Sequence, residues 1–417
     1  MTVWWKFLPK KTMYTNKREL SAALKLAALA KNQAWPTFAR FKRSRRGAQS
    51  APAGESLEEF LDKFAGRLKD VDKYVGVGLM QTTCGLWESE FYFRGAWAED
   101  EITVSLELLD QAVKTLGNGE VELVVRAAAL HIFQGKEDIT IPAMVFSEEM
   151  KKQIPSGTLR ELNRGLERWL NIYEFSGVIK ILKHVLPFAG KTDTPYGWDS
   201  VYVENRARSG TEHEDLILAA QGGPMVAAGR QLVDRLGGFG FFLMPANAAR
   251  KLCAAAKLFT PEGALLRLDS GVVSFEVGRA IISAKLNEDS FINPDIARPQ
   301  NAVASFNLDR AQLTRFSKKT KIITGGEIIF RHQNNVLAAA AGSAAYSAAA
   351  LIPNGQDRRP DDNDFSFKIS SSALCDILST ITADTVNLYY SGETMPLYIS
   401  ADGVNYAVLP IKEEKII

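Results

Sequence analysis

The residues of this chain best suited to chemistry are cations set among aromatic rings. In "WPTFARFKRSRRG", Arg40, Lys42, Arg43, Arg45 and Arg46 span seven residues beside Trp35, Phe38 and Phe41. Cations at this density attract phosphate, and interleaved rings offer faces on which bases stack. The stretch reads as a loop suited to nucleic acid. The same residue types also suit an ordinary solvated loop.

Groups arranged for bond-making are missing. The chain has no GxSxG, no P-loop and no HExxH. Its four histidines, His131, His184, His213 and His332, lack metal-ligand spacing. "GGFGFF", after Leu236, precedes a strand and reads as a turn, without the spacing of a dinucleotide fingerprint. "RRPDDND" lacks the alternation and the glycine of a calcium loop and reads as solvated. We therefore expect no enzyme: no catalytic residue, no metal and no cofactor. Cys84, Cys253 and Cys375 are far apart, form no CxxC pair and fit a reducing cytoplasm.

Composition bounds the partners. Over 417 residues the net charge is only +2, so nucleic-acid binding needs a local basic face and not a basic protein. The apolar share of 46% is that of a globular chain, and the length suggests two to four domains. The start, "MTVWWKFLPKKTMY", lacks the apolar region of a signal peptide. The alanine-rich "VLAAAAGSAAYSAAALI" reads as two short strands about a turn and not as a membrane span.

The elements that must hold these residues repeat. Segments starting at Ile102, Phe241 and Phe365 each open with a short strand and pass into a helix of about three turns. Each then turns through polar or glycine residues into two or three alternating strands. Leu109, Ala112, Val113 and Leu116 line one helix face, as do Leu374, Leu378 and Ile381. Segments starting at Met13, Ile172 and Ala302 also run from a strand into an amphipathic helix. The chain thus reads as six strand–helix–strands units, an α+β pattern. Paired, they give domains at 1–150, 151–300 and 301–417, with an inserted loop and helix at about 44–73 and a helical linker at about 147–171. The closing strand, within "YAVLPIK", is the last strand of the sixth unit, and "VGRAIISAKL" is its earlier counterpart.

These stretches resemble the bacterial sliding clamps, the beta subunit of DNA polymerase III. "YAVLPIK" is similar to that family's tyrosine–valine–valine–methionine–proline ending, and "VGRAIISAKLNEDSFINPDIARP" to the end of its second domain. The resemblance is best over Ile172 to Pro299 and Ala302 to Lys412. It implies three clamp domains in a head-to-tail homodimeric ring around double-stranded DNA, helices lining the pore and sheets forming the wall. It implies tethering of the replicative polymerase, and binding of polymerase and clamp loader through short linear peptides, in the cytoplasm and with no membrane.

A sliding ring grips phosphates without reading bases. Away from their apolar stripes, the first helix offers Arg18 and Lys25, and the third Lys180, Lys183 and His184. The fourth offers Arg250, Lys251 and Lys257, and the fifth Arg310, Arg315 and Lys318. The second has only Lys114 beside Glu107 and Asp110, and the sixth none. The resemblance also implies a peptide cleft. The family's threonine–aspartate–glycine–histidine–arginine–leucine wall is matched here by Ala220, Gln221, Gly222, Gly223, Pro224 and Met225. The other walls are Trp198, Ile292, Ala407, Leu409 and Ile411. Because that wall has lost the family's threonine, aspartate, histidine and arginine, a clamp-like scaffold with non-standard partners is the alternative reading.

Overall fold

The computed structural model describes residues 12–28, 38–43, 77–83, 87–96, 102–144, 170–190, 199–234, 236–237, 239–259, 263–269, 271–278, 280–299, 302–323, 326–333, 336–343, 346–352, 365–393 and 395–411. The 44–73 insertion, Arg45, Arg46 and Trp198 lie outside them, as does the 147–171 linker apart from its last residues, which form a strand.

Each repeat is a strand, a helix and then three strands. The first is β1 (Thr12–Asn16), α1 (Lys17–Ala28), β2 (Phe38–Arg43), β3 (Val77–Thr83) and β4 (Trp87–Ala96). The second is β5 (Ile102–Ser105), α2 (Leu106–Thr115), β6 (Glu120–Arg126), β7 (Ala129–Gln134) and β8 (Glu137–Pro142). The third is β9 (Leu170–Ile172), α3 (Phe175–Val185), β10 (Ser200–Ala207), β11 (His213–Gly222) and β12 (Met225–Asp234). The fourth is β13 (Phe241–Pro245), α4 (Ala246–Phe259), β14 (Ala264–Asp269), β15 (Val272–Val277) and β16 (Ala280–Lys285). The fifth is β17 (Ala304–Asp309), α5 (Arg310–Ile323), β18 (Glu327–Gln333), β19 (Val336–Ser343) and β20 (Tyr346–Ile352). The sixth is β21 (Phe365–Ser370), α6 (Ser371–Thr380), β22 (Thr385–Tyr390), β23 (Leu397–Ala401) and β24 (Val404–Val408).

Local chemistry explains why strand passes into helix with hardly a loop. In the second, fifth and sixth units the last strand residue doubles as the helix N-cap, a position that favours a short side-chain oxygen. Ser105 Oγ accepts from the Leu108 N–H at 3.4 Å, and Ser370 Oγ from the Ala373 N–H at 3.4 Å. Asp309 Oδ1 takes the same role with the Gln312 N–H at 2.6 Å. The predicted apolar stripes are the buried ones: Leu109, Ala112, Val113 and Leu116 in the second unit, Leu374, Leu378 and Ile381 in the sixth.

The strands make four antiparallel sheets in two compact lobes, Met1–Ile172 with Arg250–Leu286, and Tyr173–Ala249 with Asn287–Ile417. The first lobe holds the sheets β1-β6-β7-β8 and β5-β2-β3-β4-β16-β15-β14-β9. The second holds β13-β10-β11-β12-β24-β23-β22-β17 and β20-β19-β18-β21. One rule orders all four. The first strand of each unit pairs with the second strand of its sequence partner, as β1 does with β6, β5 with β2 and β17 with β22. Last strands then meet last strands, β4 with β16 and β12 with β24. The closing strand β24 therefore lies inside a sheet, between β12 and β23, and "VGRAIISAKL" supplies β16 in the equivalent place. Two last strands, β8 and β20, stay at sheet edges.

Helix α1 packs on α2, α5 on α6, and α3 on β11, β12 and β24. The α3 contact is close. A Cβ on Gly229 would lie 2.4 Å from Ile181 Cγ2. The alanine-rich run forms the hairpin of β19 and β20, as predicted. "WPTFARFKRSRRG" corrects the sequence reading. Its residues Phe38–Arg43 are not a loop but β2, paired with β5 on one side and β3 on the other. Alternation of apolar and basic residues suits an interior strand once two neighbours are available, and only the tertiary pairing supplies them.

Candidate nucleic-acid interface and partner groove

Four helices turn cations outward. On α1, Arg18 and Lys25 are exposed while Leu20, Ala23 and Leu24 are buried. On α3, Lys180 and Lys183 are exposed above buried Val178, Ile179, Ile181 and Leu182. On α4, Arg250 and Lys257 are exposed on one face, seven residues apart. On α5, Arg315 and Lys318 are exposed, joined by Lys319 and Lys321, which the sequence reading missed because they trail past the face it followed. Helix α5 carries no acidic residue to offset them. By contrast, Lys114 on α2 is paired with Asp110 at 2.7 Å, and α6 exposes Asp376.

Three predicted cations sit elsewhere. Lys251 has no exposure and faces the protein interior, since it lies one position from Arg250, on the buried side of α4. Arg310 is half-buried, and its Nε donates to the Ala383 carbonyl at 2.7 Å, tying α5 to the turn after α6. His184 is buried, with Nδ1 3.2 Å from the Tyr406 hydroxyl, which also lies 3.1 Å from Thr380 Oγ1. Burial lowers the His184 pKa; Asp402 opposes this and Lys180 adds to it. His184 is therefore neutral at pH 7 and gives α3 no charge. Burial likewise pushes the Tyr406 hydroxyl up to about 12. Burial opposes ionisation of Asp402, but hydrogen bonds from the Thr382 and Ala383 N–H groups outweigh it and hold the carboxyl below its ordinary value. Arg40, Lys42 and Arg43 lie on β2.

The pairing of β12 with β24 brings Pro224 and Met225 beside Val408 and Leu409. The β11–β12 turn is Gly223 and Pro224, with Gly223 at φ +56°. The Leu409 N–H donates to the Pro224 carbonyl at 3.0 Å, and the Ile411 N–H to the Lys368 carbonyl at 2.9 Å. Pro224 and Leu409 are exposed there, Leu409 by 52%, with Met225 and Ile411 half-buried. Gly222 has a packing reason: a Cβ would lie 2.4 Å from the Phe188 carbonyl oxygen. Sheet alternation separates the remaining residues. Ala220 pairs with Ala227, and Ala407 with neighbouring Val226, so Ala220 and Ala407 are buried on opposite faces. Ala407 joins Tyr202, Ala219, Ala228 and Tyr398, where Phe291 packs. Ile292, beside Phe291, is 44% exposed on a segment held by Asp295, which receives Arg206 at 2.9 Å and Arg230 at 3.3 Å. Sequence reasoning missed this ion cluster, because Arg206 and Asp295 are far apart along the chain.

Among the described residues no cluster of His, Cys, Asp or Glu could hold a metal ion, and no helix is long and apolar enough to cross a membrane. No family model and no curated protein matches the chain. Solved structures do. The DNA polymerase III beta subunit of Thermotoga maritima is 16% identical, with a TM-score of 0.75 over 97% of this chain and 100% of that one. A beta subunit from Eubacterium rectale is 12% identical, with a TM-score of 0.72 over 96% and 99%. The Helicobacter pylori beta clamp, bound to a DNA ligase peptide, is 12% identical, with a TM-score of 0.69 over 96% and 100%. Six repeats of one unit, their exchanged first strands and these whole-chain superpositions agree that the chain has the fold of the bacterial sliding clamps, the beta subunits of DNA polymerase III.

Proposed function

We propose that this chain is a DNA sliding clamp, a non-enzymatic head-to-tail homodimer that encircles duplex DNA and tethers the replicative polymerase. Its three domains are the paired units at 1–150, 151–300 and 301–417, and it works in the cytoplasm. The observation that carries the reading is the set of outward cations on α1, α3, α4 and α5, the helices of four of the six repeated units. Cations on exposed helix faces meet a phosphate backbone without reading bases. Arg18, Lys25, Lys180, Lys183, Arg250, Lys257 and Lys318 face the DNA in this reading. Polymerase and loader peptides take the groove of Pro224, Met225, Leu409 and Ile411, in the manner that the ligase peptide on the Helicobacter pylori clamp suggests.

The test is topological. Protein loaded on circular DNA stays bound in moderate salt, whereas on linear DNA it slides off the ends. Equal loss from both, with the same salt dependence, would mean ordinary surface binding.

One feature favours the scaffold alternative. The hairpin Gly222-Gly223-Pro224-Met225 has no polar side chain to fix a peptide's polar anchor. A polymerase clamp-binding peptide immobilised on resin retains a replicative clamp, whereas the scaffold passes through.

A further inference from the structure

On the second lobe's eight-stranded sheet, Tyr202, Ala219, Ala228, Tyr398 and Ala407 form a buried apolar cluster, joined by Ala297. Alternation fixes its side. Ile181 and His184 of α3 meet Gly229 and Tyr406, so the neighbouring Ala228 and Ala407 point away from that helix. Alanine at three of these sheet positions keeps the floor low between the two tyrosine rings. Phe291 fills the hollow: it packs against the cluster, and its ring stacks on Tyr202 with centroids 5.1 Å apart and planes 27° from parallel.

Phe291 rides on a strap with polar anchors at both ends. Upstream, the Asn287 N–H donates to the Leu243 carbonyl at 3.1 Å, and Asn287 Nδ2 to Ser200 Oγ at 3.3 Å. Downstream, Asn293 Oδ1 caps the short 3-10 helix Pro294–Ala297 by accepting from the Asp295 N–H at 2.9 Å. The Asp295 carboxylate in turn accepts from Arg206 Nη1 at 2.9 Å and Arg230 Nη2 at 3.3 Å. Between these anchors Glu288, Asp289, Ser290, Ile292 and Asn293 are exposed, and only Phe291 is half-buried. The filled hollow adjoins the groove. Val226, packed against the cluster, follows Met225, and Leu409 lies two residues past Ala407.

We propose that Phe291 is a resident occupant of the groove's apolar end, and that a partner peptide's large apolar side chain takes its place by displacing it. This rests on the groove reading and adds a competitor built into the chain. The peptide's apparent affinity is its intrinsic affinity reduced by the fraction of chains whose strap is lifted. The Asp295 ion pairs keep that fraction small without touching the hollow, because bonds between arginine and carboxylate are charge-assisted.

Two variants test the competition. Phe291→Ala removes the occupant, and Asp295→Asn keeps it but weakens its lock. A fluorescein-labelled polymerase clamp-binding peptide, followed by anisotropy, binds both variants several-fold more tightly than the parent. The dye anilinonaphthalene sulfonate fluoresces more strongly with both, because the hollow is uncovered, while urea unfolding shows that both are folded. Peptide affinity unchanged in both folded variants, or weakened in Phe291→Ala, overturns the strap and leaves the groove reading standing. No peptide binding by any of the three chains overturns the groove reading, and the competition with it, whatever the dye shows.

Discussion

Replacing Tyr406 with Phe removes one oxygen and leaves a ring that is 1% exposed and packs on Phe188, with centroids 5.5 Å apart. Two effects of opposite sign follow. The hydroxyl sits between His184 Nδ1 and Thr380 Oγ1, so its loss takes the buried His184 nitrogen's partner away, while Thr380 Oγ1 keeps its bond to the Ile377 carbonyl at 2.8 Å. At pH 8 that costs about 1–3 kcal/mol of stability. The second effect is ionisation. Burial raises the folded Tyr406 pKa to about 12, so its contribution is present below the unfolded value of about 10 and is lost as pH rises through the folded one. At pH 11 the unfolded tyrosine is mostly ionised and the folded one mostly neutral, which costs the parent about 1.4 kcal/mol. Phe has no such term. Urea unfolding of parent and variant at pH 8 and pH 11, followed by circular dichroism, measures the difference. The parent's advantage shrinks by about 1.4 kcal/mol between the two. A difference that stays flat with pH would refute the claim that the Tyr406 hydroxyl is buried and polar-locked.

Two adjacent glycines should behave oppositely to their backbone appearance. Gly222→Ala puts a methyl against the fixed Phe188 carbonyl and costs about 1–3 kcal/mol in urea unfolding. Gly223→Ala meets no atom within 4 Å and pays only for its φ of +56°, about 1 kcal/mol. Lys180→Glu with Lys183→Glu leaves the buried face of α3 intact but weakens binding to circular duplex DNA. It also lowers the slope of log affinity against log salt by about 2, if both lysines contact phosphate; an unchanged slope in a binding titration would place them off the DNA.

Much of this protein was legible in its residues, and the reason is range. A helix stripe, an alternating strand and an N-cap such as Ser105 or Ser370 are set by neighbours within a turn or two, so six repeated units and their outward lysines could be read directly. Long-range pairing was not legible, because any alternating strand can satisfy its hydrogen bonds with many others. Only the folded chain decided that first strands exchange between partner units, that β24 pairs with β12, and that Phe38–Arg43 is an interior strand. The same holds for buried polar groups. Lys251 and His184 look like surface cations in the sequence, and it was the opposing elements that enclosed them, giving His184 a hydroxyl partner and leaving it neutral. For the groove, the residues were nameable but not their sides: Ala220 and Ala407 part company because β12 places successive residues on opposite faces, a fact that exists only once its pairing with β11 and β24 is known.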